Sequence, residues 1–72
     1  KELLIMALSR ILEIDSEDES ALWERAECHF EEKKLGDSMG DIHRLLALNP
    51  GNQKARKFKA KILEKLDTRE WD

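Results

Sequence analysis

The chain has 72 residues, 40% of them charged and 40% apolar, with a net charge of −3. That length bounds it to one domain with a small core, and the composition suits amphipathic helices rather than a disordered tail. One proline, no tyrosine and few β-branched residues disfavour sheet. The charge is uneven: residues 1–36 carry 5 basic and 10 acidic side chains, and residues 37–72 carry 8 and 6. A lone cysteine cannot form an internal disulfide and points to a reducing, cytoplasmic compartment. No apolar run is long enough to span a bilayer, and residues 3–8 are too short for a signal peptide. A chain that opens at Lys1 reads as a piece cut from a longer soluble protein.

The first predicted helix covers residues 2–15, with Leu4, Leu8, Ile11 and Leu12 on one face. Residues 3–8 are apolar all round, so this helix is expected to be covered on two sides, and the downstream chain supplies only one cover. An open apolar face follows, with Leu3, Leu4, Ile5 and Met6 as candidates for self-association. The alternative is an ordinary buried helix of a compact bundle.

Asp18 is the expected N-cap of a second helix over residues 19–33, with Glu17 and Glu19 suited to its positive end. Leu22, Ala26 and His29 share one face of it, and Trp23, Glu27 and Phe30 a neighbouring one. A third helix is expected over 35–48. Gly36 and Gly40 weaken its beginning and leave room for a start as late as Asp37 or Ser38. Its expected buried face is Ser38, Ile42, Leu45, Leu46 and Leu48, and Asn49-Pro50-Gly51 ends it. Asn52 caps a fourth helix over 53–66, which frays toward Trp71 and leaves a polar tail over 67–72. Six Lys/Arg residues over 54–65 are read as surrounding that helix, solvating it as a cap.

These segments repeat at a spacing of 34. Residues 11–16 (ILEIDS) return as 45–50 (LLALNP), Asp18-x-x-Ala21 as Asn52-x-x-Ala55, Ala26 as Ala60 and Arg10 as Arg44. The pattern Leu22-Trp23…Ala26…His29-Phe30…Leu35…Ser38…Ile42…Leu45…Pro50 makes residues 19–52 resemble the tetratricopeptide repeat (TPR). That family has small residues where its two helices approach closely, here Ala26 and Ser38. The departures are His29 where tyrosine is usual, Leu45 where alanine is usual, and Lys33 near the usual turn glycine. The resemblance implies an all-α stack of antiparallel helix hairpins: one full repeat over 19–52, the second helix of a preceding repeat over 1–15, and a capping helix over 53–66.

It also implies a scaffold or adaptor without chemistry of its own. Such a chain binds a peptide or partner helix in a groove lined by Ser20, Trp23, Glu27, Phe30 and Glu31 on one wall. Lys54, Lys57, Lys61, Glu64 and Lys65 line the other. Partner binding is assigned to Trp23, Glu27, Phe30, Lys54, Lys57 and Lys61; the alternative is that Trp23 and Phe30 merely pack between helices. Alternatives are a co-chaperone arm for heat-shock proteins with its carboxylate clamp upstream, or an oligomerisation segment pairing through the first helix. A clamp within this chain is disfavoured. The family's clamp positions fall on Ser20, Glu24, Trp23 and Glu27, or on Lys54 and Phe58, of which only Lys54 fits.

Other chemistries find little footing. Cys28-His29 with His43 lacks the paired spacings of a zinc site, and no third residue orients a histidine as base for the thiol. No glycine loop has the flanking strand and lysine that cradle phosphate. The basic fourth helix has only Phe58 to stack a base, which disfavours nucleic acid. No enzyme activity, cofactor or metal is expected.

Overall fold

The computed structural model describes the backbone of residues 2–71 and the side chains of residues 2–66. It contains four helices: α1 (Glu2–Ile14), α2 (Glu19–Glu31), α3 (Leu35–Leu48) and α4 (Gln53–Trp71). No strand occurs among the described residues, and the protein is all-α. Each helix packs on the next through a short connection. The described chain measures 40 × 29 × 13 Å, thin enough in one direction for two layers of helix at ordinary packing distances.

The 34-residue spacing is visible in the connections bond for bond. The Asp18 side chain accepts from the Ala21 N–H at 3.1 Å, and the Asn52 side chain accepts from the Ala55 N–H at 3.1 Å. The preceding turns match as well. Asp15 N–H donates to the Ile11 carbonyl and Asp18 N–H to the Asp15 carbonyl, while Asn49 donates to Leu45 and Asn52 to Asn49. Asn49, forced out of the helical region by Pro50, takes φ −142° and ψ 85°. A short side chain's oxygen, carboxylate in one turn and amide in the other, satisfies the orphan N–H of an alanine three residues on in both turns.

The core repeats with the connections. Ala21 and Cys28 on α2 are buried, and so are Ala55 and Ile62 on α4, one period later. Leu8 and Leu12 are buried on α1. Ile42 is buried on α3, and Leu46, the counterpart of Leu12, packs partly buried against the core. Full burial of each large aliphatic side chain contributes about 1.5–3 kcal/mol. Among the described residues the buried apolar side chains of all four helices form one core cluster.

Three expectations change. On α1 the inward stripe is Ile5, Leu8 and Leu12, while Leu4 and Ile11 are 47% and 42% exposed. Among the described residues α1 packs chiefly on α2, so only one arc of the helix is covered. Helix α2 ends at Glu31 rather than Lys33, because Lys33 turns left-handed at φ 63°. Lys34 N–H then reaches the His29 carbonyl at 2.8 Å and Lys33 N–H the Phe30 carbonyl at 3.0 Å, closing a Schellman motif. Helix α3, by contrast, keeps its expected bounds of Leu35–Leu48, and the Leu35 side chain is buried at its start. Helix α4 continues past Leu66 to Trp71, so the expected tail over 67–71 is helical, while Asp72 lies outside the described residues.

A candidate binding groove between the second and fourth helices

Helices α2 and α4 run side by side and in the same direction, since Trp23 meets Phe58 while Phe30, two turns on, meets Phe58 and Lys61. Trp23 and Phe30 lie seven residues apart, two helical turns, and so project from the same edge of α2. The Phe58 ring sits between them, 5.2 Å from each ring centroid and tilted by 53° and 51°. Such tilted pairs contribute about 0.5–1.5 kcal/mol each beyond their buried area. The Lys61 ammonium lies 5.4 Å from the Phe30 ring centroid, a cation–π distance.

All three rings are half-buried. They join α2 to α4 and also leave ring surface open. Trp23 and Phe58 floor an open trough of about 460 Å³, whose walls are Glu27 on α2 and Lys54, Lys57 and Lys61 on α4. Toward the amino ends of both helices it continues into a depression of about 240 Å³ lined by Glu19, Ser20, Trp23, Glu24, Leu45, Asn52 and Lys54. Five of the six residues assigned to partner binding, Trp23, Glu27, Lys54, Lys57 and Lys61, line one trough. Phe30 stands beside it in the aromatic row. Of the six basic side chains over 54–65, Lys54, Lys57 and Lys61, at i, i+3 and i+7, line this trough, while Arg56, Lys59 and Lys65 do not.

The residues assigned to self-association divide. Leu3, Leu4 and Met6 are 82%, 47% and 66% exposed, but Ile5 packs against the core. The clamp positions Ser20, Glu24 and Lys54 line the smaller depression, with acid and base together. Cys28 is buried, whereas His43 is exposed on α3. Among the described residues no group of three or more His, Cys, Asp and Glu side chains could hold a metal ion. No helix among them is long and apolar enough to cross a membrane.

A polar clamp behind the groove escaped the sequence reading. Arg25 donates from Nε to Asp41 Oδ2 at 2.9 Å, from Nη2 to Asp41 Oδ1 at 2.7 Å, and from Nη1 to Ser9 Oγ at 3.1 Å. One guanidinium thus ties α1, α2 and α3 together, with its fork matched to the carboxylate. The bond to Asp41 raises the Arg25 pKa against the opposing effect of burial, with further attraction from Asp41 and Asp37. His29 Nε2 lies 3.9 Å from Asp41 Oδ2, and its buried Nδ1 has no hydrogen-bond partner. The signal for this clamp lay in hairpin symmetry: positions 25 and 41 are equidistant from the turn residue Lys33, so opposite charges there face each other.

Comparison with protein-family models, curated proteins and solved structures finds no match for this chain.

Proposed function

We propose that this chain is a divergent TPR-type module that binds a protein segment in the groove between α2 and α4, in a scaffold or adaptor role. The observation that carries this reading is the half-buried aromatic floor of Trp23 and Phe58 left open between a glutamate wall and a lysine wall. Aromatic surface ringed by charged side chains is the usual makeup of an energetic centre in protein recognition. The 34-residue identity of turns, caps and core seats supports the family resemblance. The experiment is selection of binding peptides from a displayed library, with Trp23→Ala and Lys57→Glu variants as counter-targets. Peptides that bind the parent chain and neither variant support the groove. Peptides indifferent to both variants, while the variants stay folded by circular dichroism, count against it.

One observation favours a second reading, self-association through α1. Leu3, Met6 and Ile14 lie 82%, 66% and 87% exposed on that helix. Sedimentation over a range of concentrations tests it: a concentration-dependent dimer supports pairing, and a monomer throughout excludes it.

A further inference from the structure

The groove carries a charge pattern that narrows its partner. Lys54, Lys57 and Lys61 follow one edge of α4 at i, i+3 and i+7, spanning about 10.5 Å along the helix. Across the trough, Glu24 and Glu27 at i and i+3 follow the exposed edge of α2. Among the described residues no ion pair within 4.0 Å joins Glu24 or Glu27 to these lysines. The two walls therefore present opposite charge to whatever lies between them. Resting on the groove reading above, we infer that the ligand is an amphipathic α-helix with two oppositely charged flanks. Its apolar stripe lies on Trp23 and Phe58, its basic flank along Glu24 and Glu27, and its acidic flank along Lys54, Lys57 and Lys61.

The spacing selects a helix over an extended strand. Wall charges at three- and seven-residue helical intervals stand about 4.5 and 10.5 Å along the axis, the intervals at which a ligand helix repeats its own flanking side chains. A strand repeats on one face every ~6.7 Å and falls out of step with them. The opposed walls also set direction. Reversing a helix in the trough exchanges its flanks, so a given charge-striped ligand satisfies both walls in one orientation only.

The test uses three synthetic helical peptides of about 18 residues, long enough for appreciable helix content, with the same leucine stripe. One carries glutamate on one flank and lysine on the other, the second glutamate on both, and the third lysine on both. Binding to the full chain is read by fluorescence anisotropy at low salt. The mixed peptide is expected to bind about tenfold more tightly than either uniform one. A Lys54→Glu/Lys57→Glu variant, altered only at exposed positions, is expected to invert the order in favour of the lysine-flanked peptide. Equal binding of all three, abolished by Lys57→Leu/Phe58→Ala in a variant that remains helical, leaves the groove standing and overturns the charge-striped ligand. Tightest binding of the all-glutamate peptide overturns it as well, in favour of a plainly acidic partner. Failure of all three to bind removes both the inference and the groove as a helix-binding site.

Discussion

The Ser38 hydroxyl donates to the Ala26 backbone carbonyl at 2.8 Å, with both residues 0% exposed, at the point where α2 and α3 cross. The two small side chains let the backbones meet, and the hydroxyl serves as a polar pin across the contact. Ser38→Ala is expected to cost about 1 kcal/mol, the net value of one hydrogen bond. Ala26→Leu is expected to cost about 1–3 kcal/mol or more by overpacking. Urea denaturation measures both, and the larger loss should fall on Ala26.

The Arg25–Asp41 pair is expected to behave as a buried ion pair with one edge in water. Removing one partner of such a pair costs roughly 3–5 kcal/mol, because it leaves the other charge buried alone. The Arg25 side chain is 25% exposed, so readmitted water should hold the loss for Arg25→Ala to about 2–3 kcal/mol. Arg25→Met combined with Asp41→Leu should regain most of that loss in a double-mutant cycle. The raised Arg25 pKa means its contribution is fully present below the ordinary arginine value and lost only as pH rises through the higher folded value. Arg25 itself therefore adds no slope to stability across working pH.

Lys33 and the α3 glycines are expected to be exchangeable for gain. A lysine at φ 63° carries a steric cost of roughly 1–2 kcal/mol that glycine avoids, so Lys33→Gly should stabilise the protein by about 1 kcal/mol. Gly40 lies inside α3 with nothing within 4 Å of an added Cβ, and Gly40→Ala should add about 0.5–1 kcal/mol. Together they should raise the melting temperature by about 10 °C in a thermal scan.

On α1 the two sides should respond oppositely. Leu8→Ala, at a side chain 4% exposed, should cost about 2–4 kcal/mol. Leu3→Lys and Ile14→Lys, at positions 82% and 87% exposed, should change stability by less than about 0.5 kcal/mol. Equal losses at Leu3 and Leu8 would contradict the observed orientation of α1.

Much of this fold was legible because its punctuation is chemical. Asp18 and Asn52 announce helix starts through a side-chain oxygen, and Pro50 forbids continuation, so element starts fall near where the residues place them. The groove residues came from the family resemblance rather than from the spacing itself, and the structure brings Trp23, Glu27, Lys54, Lys57 and Lys61 around one trough. What stayed hidden depended on neighbours. Leu4 and Ile11 look as core-like as Leu8 and Leu12, and only the direction from which α2 approaches separates them. Asp41 carries no signal of burial in the sequence, and its role is visible only once Arg25 is placed across from it. Phe58, a single aromatic among lysines, gives no sign of becoming the ring that joins Trp23 to Phe30.

The most direct test of the account is amide and indole chemical-shift mapping of the labelled chain during titration with a library-selected peptide. The largest changes are expected on the Trp23 indole N–H and on Glu27, Lys57, Phe58 and Lys61, with α1 nearly silent. Changes centred on Leu3, Ile11 and Ile14, with the Trp23 indole unmoved, would contradict it.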